Sequence, residues 1–241
     1  MGQVVDFGKT PARQAGEGVS IATLVGNSRQ IEASLLSLRP GARYSAAVPR
    51  GSDQYLYVLS GTAQLEGAEG GPPATMTAGG FAIIQEDRGF TVSGTGDGEA
   101  SLLAVAIPPD GGGAGLAGFT GGRKVVSIHT LPVLDVPEQK KQRIFLATHD
   151  TVGSDRGHAM IVRYVADTVT PKHCHPNAES MFVLLEGNLR FLINGEEVTL
   201  TPGQMAHFPM NDVHALRSAD GKPLHFLEFH VPGKFTTNYA E

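Results

Sequence analysis

Two neighbouring stretches decide how this chain is read: Thr170–Gly187, TPKHCHPNAESMFVLLEG, and Gly203–His214, GQMAHFPMNDVH. Alternate residues of an extended strand share a face, so His173 and His175 can point to one interior while Cys174 points away. Pro176 and Asn177 mark a bend, Glu179 opens the next apolar strand, and His214 follows the turn Pro209–Asp212 one hairpin later. Folding adjacent strands into a barrel brings all four side chains to one interior region. Neutral imidazole suits Zn, Fe, Ni and Cu, and a carboxylate beside it also suits Mn, so the cluster reads as a site for one divalent transition metal. Burying three imidazoles and a carboxylate without a cation or a full hydrogen-bond network is costly, which favours ligation over a bland core role wherever they converge.

Working outward, strand-like runs recur at short spacing with turn residues between them. Ile31–Leu38, Tyr55–Leu59, Phe81–Ile84 and Ser101–Ile107 occupy the first half; Ala159–Val165, Met181–Leu185, Leu189–Ile193, Gln204–Phe208 and Leu224–Val231 occupy the second. With 31 glycines and 15 prolines in 241 residues, turns are abundant and long helices are not expected. The chain is therefore expected to be all-β, with an N-terminal unit over residues 1–110, a glycine-rich linker over 111–123 and a C-terminal unit over 124–241. Lys124–Leu134 reads as a strand that leads into the second unit or crosses back to the first, and Pro137–Arg143 as a short helical turn. The halves also repeat: Gln54–Gly61 lies over Ser180–Gly187, and Thr77–Ile84 over Thr201–Phe208.

Global properties exclude some classes of function. A net charge of -5 without a basic stripe offers no electrostatic footprint for nucleic acid. No apolar run approaches the roughly 20 residues that cross a bilayer, and Met1–Thr10 lacks the charged and apolar regions of a leader. A cytoplasmic location is expected. Cys174 is the single cysteine, so no intrachain disulfide forms. Strand parity turns its thiol away from the imidazoles, where it serves as a small apolar residue.

On these residues the second half resembles a cupin domain. His173-x-His175, three residues, Glu179 and then Gly187 match the first cupin motif, and Gly203, five residues, Pro209 and then His214 match the second. Asp167 stands at the first motif's opening glycine, Asn211 at the glycine after the proline, and Ser218 at the closing asparagine. Seven residues separate Glu179 from Gly187 where the family has six, so Ser180 falls at the carboxylate position when counted back from the glycine. Either a bulge absorbs the extra residue and Glu179 ligates, or the site is held by three histidines. Through the repeat, the whole chain resembles a bicupin of two jelly-roll barrels (double-stranded β-helices). Aligning the repeat sets Ala47, Pro49, Asp53 and Phe90 at His173, His175, Glu179 and His214, so metal is expected in the C-terminal barrel only.

Further residues are candidates near such a site. On the last strand Phe226, Glu228 and His230 share one face and His225, Leu227 and Phe229 the other. His225 and Glu228 are candidates for acid–base or orienting roles, and one of Arg163 and Tyr164 should face inward to meet an anionic or carbonyl substrate. His207 lies on the strand before Pro209. The resemblance implies a metal-dependent enzyme acting on a small polar organic molecule. A mononuclear Fe(II) dioxygenase is its first expectation; the alternatives are a Mn- or Zn-dependent isomerase, decarboxylase or aminohydrolase, and a binding protein without turnover. By the same analogy the chain is expected to form a homodimer.

Overall fold

The computed structural model describes residues 1–67, 70–109, 111–193 and 195–240. Among them regular structure is almost entirely strand, with one short α-helix at His149–Val152 and 3-10 turns at Phe7–Lys9 and Pro137–Gln139. The chain forms two cupin-type barrels, each built from two antiparallel sheets.

The C-terminal barrel takes in Met1–Lys9, Pro132–Thr151 and Gly157–Glu241. Its larger sheet runs, neighbour to neighbour, Gln3–Asp6, Gln204–Phe208, Glu179–Glu186, Leu224–Val231, His158–Tyr164, Lys141–Ala147 and Leu134–Val136. The facing sheet runs Glu196–Leu200, Leu189–Ile193, His214–Ser218, Val169–Cys174 and Asn238–Tyr239. Inward positions alternate along each strand, and Phe182, Leu184, Phe191, Phe208 and Phe226 fill the interior between the sheets. Full burial of such side chains contributes about 1.5–3 kcal/mol each.

The N-terminal barrel comprises Thr10–Leu131 and Val152–Arg156. Its larger sheet runs Arg123–Ser127, Gly80–Ile84, Asp53–Ser60, Ala100–Ile107, Glu32–Leu38, Val19–Val25 and Ala12–Gly16; the last six follow the same order as their counterparts, whereas the edge strand Arg123–Ser127 comes last in the sequence of this unit and its counterpart first in the other. Gly61 (φ 77°) and Gly187 (φ 81°) end corresponding strands. A Cβ would lie 2.6 Å from the Glu99 carbonyl oxygen at the first and 2.7 Å from Leu224 Cβ at the second, so both turns need glycine.

The division corrects the boundaries expected from composition. Residues 1–9 belong with the C-terminal barrel, because Gln3–Asp6 pairs with Gln204–Phe208. Arg123–Ser127 crosses back to pair with Gly80–Ile84, and Val152–Arg156 also joins the N-terminal barrel. Nor is the run 111–123 a free linker. Gly113 packs so closely that a Cβ there would lie 2.7 Å from the Gly51 carbonyl oxygen, and Phe119 N–H donates to the buried Asp53 carboxylate at 3.2 Å. Asp110, immediately before that run, lies outside the described residues. Of Pro137–Arg143 only Pro137–Gln139 is helical; a strand begins at Lys141. Among the described residues no helix is long and apolar enough to cross a membrane.

Candidate metal centre

Three imidazoles converge inside the C-terminal barrel. His173 lies on Val169–Cys174 directly opposite His214, and a register shift between Thr170 and His173 lets the strand bend around Pro171. His175 follows two residues on, with Cys174 turned to the other side, paired with Asn238. Ring centres lie 5.1 Å apart for His173 and His175, 4.3 Å for His173 and His214, and 5.5 Å for His175 and His214. One potential ligand atom from each comes within 4.8 Å of the others.

The backbone fixes which nitrogen faces inward. Nδ1–H of His173 donates to the Pro171 carbonyl at 2.8 Å, that of His175 to Thr236 at 2.9 Å, and that of His214 to Asp212 at 3.0 Å. Each bond leaves Nε2 as the lone-pair nitrogen. Among the described residues Nε2 of His175 and His214 is buried without a hydrogen-bond partner. Burial, reinforced by the neighbouring imidazoles, lowers His175 to about 4 and His214 to about 3, and burial lowers His173 as well. At neutral pH the three are uncharged donors, the form a metal requires. Three clustered neutral imidazoles, two of them with buried unpartnered lone pairs, fit one divalent metal ion.

Glu179 does not join them. The inward face of Glu179–Glu186 carries Ser180, Phe182 and Leu184, whereas the Glu179 carboxylate accepts from His207 Nε2–H at 2.9 Å. A bulge does interrupt this strand, between Leu184 and Glu186 opposite His225. It lies beyond Phe182, however, and leaves Glu179 on the outer face. The corresponding residue of the other barrel, Asp53, likewise accepts from groups outside its apolar interior: Arg156, Ser154 and Phe119.

Of the four further candidates, two line the cavity beside the imidazoles and two do not. Glu228 and Tyr164 face inward. His225 sits on the outer face 3.2 Å from Glu186, and Arg163 is its cross-strand partner there. Inside, the Ser180 hydroxyl donates to His230 Nδ1 at 2.9 Å, and His230 Nε2–H donates to Glu228 at 2.7 Å. Burial raises the Glu228 carboxyl, but the His230 bond and the positive charge around it outweigh that and hold it below the usual carboxylate range. Tyr164 hydroxyl pairs with Thr170, and burial raises its pKa.

Several contributors have no recognisable signal in the sequence. The cavity, about 380 Å³, is also lined by Lys141 and Arg143 from the strand Lys141–Ala147 and by His158 opposite His230. The C-terminal segment closes over one side: Phe235 stacks on His230 with ring centres 3.9 Å apart, and Thr236 supplies the carbonyl that orients His175. Asn177, in the bend after the two histidines, holds that segment by accepting from Thr236 N–H and donating to the Lys234 carbonyl, each at 2.9 Å.

Residues 160–230 match the family model for the cupin domain. Among solved structures the chain is similar to Lactobacillus farciminis oxalate decarboxylase in its formate complex, with a TM-score of 0.74 at 14% identity over 98% of this chain and 88% of that one. It is similar to a mutant of Bacillus subtilis oxalate decarboxylase with a TM-score of 0.73 at 12% identity over 98% and 78%. A third structure, from work on the Mn(II) centres of the Bacillus subtilis enzyme, gives 0.72 at 12% over the same shares. At these identities the likeness is one of fold. No curated protein matches the chain in sequence.

Proposed function

We propose that this chain, with a cupin domain at residues 160–230 and a divalent-metal site beside a charged cavity, is a metal-dependent enzyme of redox-neutral type acting on a small polar organic molecule. Decarboxylation, isomerisation and hydrolytic deamination are the reactions in view, with Mn or Zn as the metal. The reading is carried by one observation: two of the three clustered neutral imidazoles, His173 and His175, line the cavity together with a carboxylate, Glu228, held ionised by His230. Likeness of fold to oxalate decarboxylases supports the same direction. The dioxygenase expectation gains no comparable support.

Bound by His173, His175 and His214, a divalent ion would act as a Lewis acid on a carbonyl or carboxylate oxygen. The chain's own groups supply the rest. Glu228 offers an ionised oxygen inside the cavity to take up or return a proton at the reacting carbon. His230 fixes its orientation, Ser180 fixes the tautomer of His230, and the Phe235 ring limits water on that side. Because Glu228 accepts its proton only during the reaction, Glu228→Gln should lower kcat by two or more orders of magnitude and leave metal affinity within about threefold.

Elemental analysis of protein purified without added metal tests the reading, paired with oxygen-uptake measurements after anaerobic loading with Fe(II). About one Mn or Zn per chain without oxygen consumption is expected. Protein free of transition metal, with His173→Ala indistinguishable from wild type in metal titration, overturns it. Steady oxygen uptake by the Fe(II)-loaded protein returns the dioxygenase reading.

A further inference from the structure

The charges lining the metal cavity do not balance. Among the described residues Glu228 is its one carboxylate, and that group is engaged by His230, whereas Lys141 and Arg143 both enter from the strand Lys141–Ala147. Neither cation has a carboxylate within ion-pair distance among the described residues. Lys141 Nζ lies 5.3 Å from the centre of the Tyr164 ring; Arg143 donates through Nη2 to Gln139 at 3.0 Å, and its buried Nε has no acceptor. The two cations thus have a single buried carboxylate, Glu228, in the cavity with them, and it is already bonded to His230, so the lining keeps an excess of positive charge, which is unfavourable without a further anion. A divalent ion on three uncharged imidazoles would add to the excess. The cavity as a whole is suited to an anion.

Strand register sets the backbone positions of these two residues apart from the level of the imidazoles. His230 and Phe182 stand at the level of the metal site: His175 is 4.6 Å from His230 and His214 is 5.5 Å from Phe182, ring centre to ring centre. Phe182 faces Glu228, which faces Met160 across the sheet. From Met160 the strand continues to Val162, opposite Arg143, and to Tyr164, opposite Lys141. At about 3.3 Å per residue these steps are roughly 7 and 13 Å along the strand. The walls in between are apolar, formed by Val162, Phe226 and Leu216.

We propose that Lys141 and Arg143 form an anion subsite, and that the natural ligand is an organic acid whose metal-binding head is joined by a short apolar segment to a carboxylate at the far end. The proposal rests on the metal-enzyme reading above for the head, while the tail depends only on the two cations. Oxalate, with adjoining carboxylates, is too short to reach both ends.

Calorimetric titration with glutarate, with its monoamide and with oxalate, each in the presence and absence of Mn(II), tests the subsite. Glutarate should bind about tenfold more tightly than the monoamide, because a charge-assisted contact is lost with the charge. Lys141→Gln and Arg143→Gln should each bring the two ligands nearly level without altering Mn(II) affinity, and Arg143→Lys should keep most of the preference. Lys141→Gln alone decides the matter if the Arg143 variants fail to fold. Equal affinities for glutarate and its monoamide, tighter binding of oxalate than of glutarate, or a preference that survives Lys141→Gln overturns the subsite. Protein that refuses Mn(II) yet keeps the preference overturns the metal-enzyme reading and leaves the subsite standing.

Discussion

Laid strand over strand, the two barrels differ at nearly every position that lines the cavity and the histidine cluster of the C-terminal one. Phe182 pairs with Glu228 where Leu56 pairs with Ala104, and Ser180 with His230 where Gln54 pairs with Ala106. Arg143 and Lys141 oppose Val162 and Tyr164 where Ile21 and Val19 oppose Leu36 and Leu38. His214 faces His173 where Phe90 faces Ala46. One scaffold thus yields a closed apolar core in one copy and a charged cavity in the other. Backbone hydrogen bonding sets the architecture; the inward side chains decide whether the interior packs or binds.

The difference extends to what each barrel does with buried charge. In the N-terminal one Arg156, 2% exposed, is locked to Asp53 at 3.1 Å and Glu86 at 2.9 Å and spans to the Ser52 carbonyl at 3.0 Å. Those charges are satisfied. In the C-terminal one, among the described residues, Lys141 and Arg143 have no carboxylate within ion-pair distance and Arg143 Nε, His175 Nε2 and His214 Nε2 are buried without a hydrogen-bond partner.

The largest expected effect breaks the structural half of the comparison. Arg156→Met leaves the Asp53 carboxylate buried without its cation and should cost about 3–5 kcal/mol of unfolding free energy, read by urea denaturation. His214→Ala comes next. It removes one of the three proposed ligands and should weaken Mn(II) or Zn(II) binding at least a hundredfold in competition titration, whereas Phe90→Ala at the corresponding place changes stability and not metal binding.

A smaller effect follows from pH. His175 and His214 have folded pKa values, about 4 and about 3, below the ordinary value of 6.5. Between those limits the unfolded chain binds more protons, so stability rises with pH there and is lost as pH falls from about 6.5 toward 4. Hydrogen exchange of metal-free protein should show this loss of protection in strands of the C-terminal barrel, with bound metal steepening it. Uniform loss over both barrels would contradict the assignment. The smallest change is expected from Glu179→Gln, which keeps a hydrogen-bonding partner for His207. Metal affinity should stay within about twofold of wild type; a loss comparable to that of His214→Ala would restore Glu179 as a ligand.

Much of this was legible without coordinates because period and spacing are local. Alternation along Leu224–Val231 places Glu228 and His230 on one face and His225 on the other, as observed. Alignment of the halves identified the N-terminal barrel as apolar at the site, although its register is one residue off: the shift between Thr170 and His173 sets Ala46, not Ala47, opposite Phe90. Spacing alone left two readings of Glu179, since a bulge and an outward carboxylate both accommodate the extra residue. The strand has both. Inward orientation of Tyr164 over Arg163 likewise needed the register with Leu224 and Lys141.

By itself the sequence determined the all-β architecture, its duplication and the grouping of three histidines, because alternation, turn residues and residue spacing act between residues close in the chain. Tertiary structure alone decided the rest. Gln3–Asp6 joins the distant Gln204–Phe208, Thr236 orients His175 from 61 residues away, and Lys141 and Arg143 meet the metal cavity from a strand with no motif of its own. Closing a barrel juxtaposes residues by strand order and register, and neither is written in the spacing of any single segment.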